Sequence, residues 1–169
     1  YEDDYLERIF VARSQGWILV LTESGHCHFL QLLDVPESAR ASPGQSVYAL
    51  IDGAERRDRI IAMIPVDDLE TKGRFLVFLS RKGVIKRTDL GEFSHPRVGG
   101  IKGAGVRKGD EILDVVVSDG SAEIMLLSRG GRAIRFPEEE VSVVGSTAQG
   151  VRGMELRGDD EVVGMLLIR

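Results

Sequence analysis

The sequence predicts an all-β fold made of repeated small sheets. One phrase occurs three times: Trp17-Ile18-Leu19-Val20-Leu21-Thr22-Glu23-Ser24-Gly25, Phe75-Leu76-Val77-Phe78-Leu79-Ser80-Arg81-Lys82-Gly83 and Glu123-Ile124-Met125-Leu126-Leu127-Ser128-Arg129-Gly130-Gly131. In each, an apolar strand runs into Thr or Ser, and a Gly follows that lets the chain reverse. A second phrase, two charged residues and then an apolar strand, opens at Asp58, Asp110 and Asp160. No stretch of about a dozen residues keeps a 3.6-residue apolar period, so helices of ordinary length are not expected. The turn glycines are 58 and 48 residues apart, near the period of propeller-like arrays.

Taken in order, residues 1–12 read as a leading strand, because Asp4 to Ala12 resembles the closing phrase with no hairpin before it. This is the pattern of a chain that starts inside a longer array. Three complete units then follow at about 17–65, 75–117 and 123–168, together one repeat domain spanning 1–169. Each opens on a hairpin whose second strand is His26 to Leu30, Val84 to Thr88 or Arg132 to Phe136. In the first unit, Pro36 to Gly44 is a loop and Val47 to Ile51 a short apolar strand. In the second, Glu92 to Gly105 is basic and glycine-rich; in the third, Gly145 to Gly153 is a polar loop. Units of three or four short strands hide their faces against their neighbours.

Composition sets the class. Of 169 residues, 43% are apolar and 29% charged, which is ordinary for a globular domain. No apolar run approaches the roughly 18 residues of a membrane span, and the acidic start lacks the form of a signal peptide. A soluble, cytoplasmic protein without a membrane partner is expected. The single cysteine, Cys27, leaves no intramolecular disulfide or multi-cysteine zinc motif and reads as a small buried residue.

The net charge of −5 is unevenly spread. Segment 81–108 holds Arg81, Lys82, Lys86, Arg87, Arg97, Lys102, Arg107 and Lys108 against Asp89 and Glu92, a net of +6, so the remainder carries −11. Bases also recur by position: Arg81 and Lys82 at one turn, Arg129 and Arg132 at the next, and Arg87 and Arg135 four residues after a turn glycine. Equivalent positions in stacked sheets project to equivalent places on a rim. A rim with a base per unit can follow a phosphate backbone without reading bases. The first unit has Phe29 at this place and contributes less. The competing reading is ordinary solvated charge at strand edges.

Other motifs carry less. The glycine-rich run from Gly99 to Gly109 lacks the Gly-Lys-Ser/Thr ending of a nucleotide loop and precedes no helix. His26 and His28 share a strand face without a third metal ligand nearby in sequence. The clusters Asp67-Asp68, Glu138 to Glu140 and Asp159 to Glu161 sit at turns and unit boundaries, where carboxylates are solvated punctuation. No nucleophile elbow or activated cysteine is present, so no catalytic site is expected in this chain, and no metal.

Three stretches then point to a family: the Ser/Thr-x-x-Gly hairpins, Gly145-Ser146-Thr147-Ala148-Gln149-Gly150-Val151-Arg152-Gly153-Met154, and Gly158-Asp159-Asp160-Glu161-Val162-Val163. Together with Phe10-Val11-Ala12 and the loop Pro36 to Gly44 before Val47, they resemble the C-terminal domain of the DNA gyrase A subunit over nearly the whole chain. The resemblance implies a β-pinwheel, a propeller-like ring whose basic rim wraps double-stranded DNA for an ATP-dependent type IIA topoisomerase. It implies the remainder of the A subunit and the ATPase B subunit as partners, and ATP and Mg in the holoenzyme but no cofactor in this chain. A cytoplasmic, nucleoid-associated location follows. The cleavage tyrosine lies elsewhere in the family, so Tyr1, Tyr5 and Tyr48 inherit no role.

One departure stands out. The family's Gln-Arg-Arg-Gly-Gly-x-Gly box is missing; Pro96-Arg97-Val98-Gly99-Gly100-Ile101-Lys102-Gly103 is the nearest run. It lies in a later unit, which reads as truncation of the first and last blades. About three complete blades are expected, with exposed edges that invite dimerisation. The phosphate contacts on this reading are Arg81, Lys82, Lys86, Arg87, Arg97, Lys102, Arg107, Lys108, Arg129, Arg132, Arg135 and Arg152. The alternatives are the similar domain of the topoisomerase IV A-type protein and a propeller-like protein-interaction scaffold whose working surface is the acidic remainder.

Overall fold

The turn chemistry read from the sequence shapes each sheet. Gly25, Gly83 and Gly131 adopt φ of 86°, 83° and 80°, and the hydroxyls of Thr22, Ser80 and Ser128 accept from the backbone N–H of His26, Val84 and Arg132 at 3.2, 3.0 and 3.2 Å. The opening and closing phrases turn out to be two halves of one joint. Asp58, Asp110 and Asp160 each reach back to the hairpin of their own unit, accepting from Ser24 N (3.1 Å), Lys82 N (3.1 Å) and Gly130 N (2.9 Å). Asp160, expected as solvated punctuation, is thus a turn cap, as are Asp58 and Asp110.

The computed structural model describes residues 5–169. Its strands are β1 (Trp17–Thr22), β2 (His26–Gln31), β3 (Ile60–Val66), β4 (Phe75–Ser80), β5 (Val84–Asp89), β6 (Ile101–Lys102), β7 (Ile112–Ser118), β8 (Glu123–Ser128), β9 (Ala133–Pro137), β10 (Val151–Arg152) and β11 (Val162–Ile168). They form three antiparallel sheets with orders β3-β1-β2-β6, β10-β5-β4-β7 and β11-β8-β9. The registers repeat: Leu19 opposite Phe29, Val77 opposite Arg87, Met125 opposite Arg135. An all-β repeat array is therefore observed as expected.

The sheets do not coincide with the sequence units. β6, from the second unit, pairs with β2 of the first sheet, and β10, from the third, pairs with β5 of the second. Two glycines permit this exchange. At Gly100 (φ 73°) and Gly150 (φ 94°) a Cβ would lie 2.4 Å from the carbonyl oxygens of Cys27 and Ile85, which are equivalent positions. Only glycine lets the donated strand come so near.

The core fills the spaces between sheets. Leu19, Leu21, Leu76, Phe78 and Phe93 pack between the first and second; Val77, Leu79, Ile85, Ile124 and Leu126 pack between the second and third. Alternate residues of β4 thus serve opposite cores, as the two-residue period requires. The outward Ile18 and Val20 are covered by Leu50 and Ile51.

Two expectations fail. Val47–Leu50 is a short helix, α1, rather than a strand. Val47, Leu50 and Ile51 are spaced so that one helical turn puts all three over Ile18 and Val20. The Tyr48 hydroxyl locks it by donating to Asp58 O and accepting from Ile60 N, both at 3.1 Å. The leading strand is also absent: residues 5–12 run without strand pairing. Phe10 lies by Ile60 to Met63 and Arg8 pairs with Asp114 at 3.7 Å, so side chains rather than a backbone ladder hold the segment. Residues 1–4 of that expectation lie outside the described residues.

Candidate nucleic-acid interface

Burial divides the twelve candidate bases. Lys86 on β5 is 1% exposed, and its ammonium donates to Gly103 O (2.8 Å), Ser146 O (2.9 Å) and Gly145 O (3.1 Å). It also lies 4.9 Å from the Phe78 ring centroid. Arg87 is 7% exposed; its Nε donates to Val141 O at 2.7 Å and Nη1 to Glu138 Oε2 at 3.3 Å. Neither side chain has surface left for a phosphate. These two phosphate contacts are corrected to structural roles, as is Glu138, expected as a solvated charge and found fully buried.

Ion pairs occupy three more. Arg81 pairs with Glu111, Arg129 with Glu161 at 2.7 Å and Arg135 with Glu123 at 3.3 Å. The first two are one repeated contact, which the first unit makes with signs reversed, Glu23 to Arg59 at 3.4 Å. Exposed pairs of this kind are weak, yet each carboxylate offsets the positive charge that a phosphate would meet.

The remaining candidates, Lys82, Arg97, Lys102, Arg107, Lys108, Arg132 and Arg152, are exposed and without a carboxylate partner among the described residues. Strand exchange organises them. Lys102 sits opposite His26 and Arg152 opposite Val84, so both occupy the same place on the outer edge of successive sheets. Arg107 occupies the tight turn before Asp110, whose N–H bonds Arg107 O at 3.0 Å. Its Nε donates to Gln149 Oε1 at 3.2 Å, linking the second and third units at the surface.

One equivalent base was missed from sequence. Arg157 precedes Asp160 as Arg107 precedes Asp110, with the same turn bond at 3.1 Å, and is exposed. Aligning the closing phrases three residues further back would have found it. The first unit has Glu55 at this place, bonded in the same way.

The first unit's face differs in charge. An open cleft of about 610 Å³ is walled by His26, His28, Asp58, Asp110 and Glu111 among others. Its carboxylates make it unsuited to phosphate. His26 Nε2 lies 2.7 Å from Gly99 O, while His28 Nδ1 is buried without a partner. Burial first, then the neighbouring His26, hold the His28 imidazole below its usual range, against the opposing pull of Asp58. Among the described residues no group of three or more His, Cys, Asp or Glu could hold a metal ion. No helix among them is long and apolar enough to cross a membrane.

Residues 74–119 and 122–169 match the family model described as DNA gyrase C-terminal domain, beta-propeller. The chain belongs to this family. It is 36% identical over 168 residues to the DNA gyrase A subunit of Salmonella typhimurium, covering 99% of this chain and 19% of that protein. With the DNA gyrase A subunit of Helicobacter pylori it shares 37% identity over 169 residues, 99% of this chain and 20% of that protein. The chain thus spans about a fifth of the length of the curated relatives it matches. It superposes on a crystal structure of the C-terminal domain of DNA topoisomerase IV with a TM-score of 0.84 and 31% identity, covering 92% of this chain and 48% of that one. A structure of the DNA gyrase A C-terminal domain matches in fold, with a TM-score of 0.75 and 19% identity over 92% of this chain and 49% of that one. The β-pinwheel expectation is thereby met, and the two stretches of the family model coincide with the second and third units.

Proposed function

We propose that this chain binds double-stranded DNA without sequence preference and bends it for a bacterial type IIA topoisomerase, contributing to negative supercoiling within the gyrase A protein. The observation that carries this is the repeated placement of uncompensated bases on the donated strands and the turns after them: Lys102 and Arg107 in the second unit, Arg152 and Arg157 in the third. A periodic row of bases at sheet edges meets successive phosphates of a duplex that curves around the array. Lys82, Arg97, Lys108 and Arg132 extend the row at the neighbouring turns. Smoothly bending a 20–30 bp site costs about 1–6 kcal/mol, so several weak contacts must act together.

On this reading the chain is not an enzyme by itself. The rest of the A subunit and the ATPase B subunit supply cleavage, ATP and Mg, and the location is cytoplasmic and nucleoid-associated. Exposed sheet edges also favour self-association into a dimer. The superposition on the topoisomerase IV domain supports a second reading, the equivalent part of the topoisomerase IV A-type protein. A protein-interaction scaffold has no comparable support.

The test is binding of the chain to a labelled 30 bp duplex from low to high salt. Affinity that falls steeply and linearly on a log–log plot supports the proposal. No binding at low salt, or binding indifferent to salt, overturns it.

A further inference from the structure

Lys86 makes a joint that the repeat itself does not require. The equivalent residue on the hairpin's second strand is His28 in the first sheet, opposite Val20, and Ile134 in the third, opposite Leu126. The sheet therefore forms with an imidazole or a branched aliphatic chain at this place. Only in the second sheet does a buried ammonium occupy it, and all three of its donors are used on carbonyls: Gly103 O behind β6, and Gly145 O and Ser146 O in the loop before β10. Those two loops touch directly as well, Gly105 N donating to Ala148 O at 2.9 Å. One carries Lys102, Arg107 and Lys108; the other leads into Arg152.

We infer that the Lys86 ammonium is a positioning group for the DNA-binding surface, tying these two loops into one arrangement, and that neutralising it uncouples them and weakens DNA binding. This rests on the DNA-binding reading above. A neutral amine brings two donors to three acceptors and turns its lone pair toward a carbonyl oxygen, so one bond becomes a repulsion in a dry site. Two loops from different sequence units then lose their common anchor.

The charges around the joint are mixed. Glu92 favours the ammonium and also accepts from Ser146 N at 2.9 Å. Lys102 opposes it, and Arg107 and Asp110 line the small cavity beside it. Burial outweighs them and pushes the ammonium down to about 8. Solution a little above this value therefore discharges the joint.

The test is a titration of the whole chain from pH 7 to 9.5 at constant ionic strength. It reads the carbonyl ¹³C shifts of Gly103, Gly145 and Ser146 and, in parallel, affinity for a 30 bp duplex. The wild-type chain is expected to show both changing together around pH 8, with affinity falling about tenfold. Lys86→Arg, whose guanidinium stays charged, is expected to show a flat affinity over the same range. Affinity that is flat with pH in the wild type, or that falls without movement of the three carbonyls, overturns the inference. The wild-type titration stands even if the variant fails to fold. Absence of duplex binding at pH 7 and low salt defeats the DNA-binding reading and the inference together, whereas binding that ignores pH defeats the inference alone.

Discussion

Arg87 and Glu138, 51 residues apart in sequence, form an ion pair with side chains 8% and 0% exposed. The same carboxylate accepts from Ser118 Oγ at 2.6 Å and from Ala122 N at 2.7 Å, and the guanidinium lies 5.2 Å from the Phe75 ring centroid. The second sheet is thereby bolted to the start of the third. Removing one partner of such a pair strands the other charge in a dry site, so Glu138→Ala is expected to lose about 3–5 kcal/mol of unfolding free energy. Urea denaturation measures it. A loss below about 1 kcal/mol would show that the site behaves as a surface pair.

Lys86 carries a pH dependence of stability whose sign is the reverse of a partnered lysine. Its folded value of about 8 lies below the ordinary 10.5, so above pH 8 the unfolded chain holds the extra proton. Stability then rises with pH from about 8 to about 10.5 through this group, and the cost of the buried charge is fully present below 8. Denaturation midpoints of the wild type and Lys86→Met, compared over this range, isolate the effect: the difference between them is expected to shift in the wild type's favour as pH rises. A constant difference contradicts it.

The strand exchange depends on glycines at equivalent places. At Gly150 a Cβ would meet Ile85 O at 2.4 Å and Lys86 Cβ at 2.8 Å, with φ at 94°. Gly150→Ala is therefore expected to cost about 1–3 kcal/mol and to expose the β5 amides at the donated strand to hydrogen exchange. Gly131→Ala meets nothing within 4 Å and bears the backbone cost alone, about 1 kcal/mol. Equal costs for the two would show that the close approach of β10 is not what Gly150 permits.

What could be read from the sequence follows from the range of the interactions concerned. The hairpins of Thr22 to Gly25, Ser80 to Gly83 and Ser128 to Gly131 are fixed by residues within one turn, and their pattern is visible at once. Donated strands of two residues, Ile101–Lys102 and Val151–Arg152, are too short to leave a periodic signal. The helix at Val47–Leu50 was missed because four apolar residues suit either structure, and its packing on Ile18 and Val20 decides between them. In the candidate site, Lys102 and Arg152 were legible as bases. That Lys86 and Arg87 are buried was not, because their partners Ser146 and Glu138 lie far along the chain. Arg157 was legible in principle, through the repeat, by its distance from Asp160.

The division between free and occupied bases is tested most directly by the salt dependence of duplex binding in two triple variants. Lys102→Gln, Arg107→Gln and Arg152→Gln together are expected to lower the log–log slope by nearly one per base removed. Arg81→Gln, Arg129→Gln and Arg135→Gln together, which remove bases already facing Glu111, Glu161 and Glu123, are expected to leave it almost unchanged. Equal reductions in both variants, or an unchanged slope in the first, would contradict a DNA path along the donated strands.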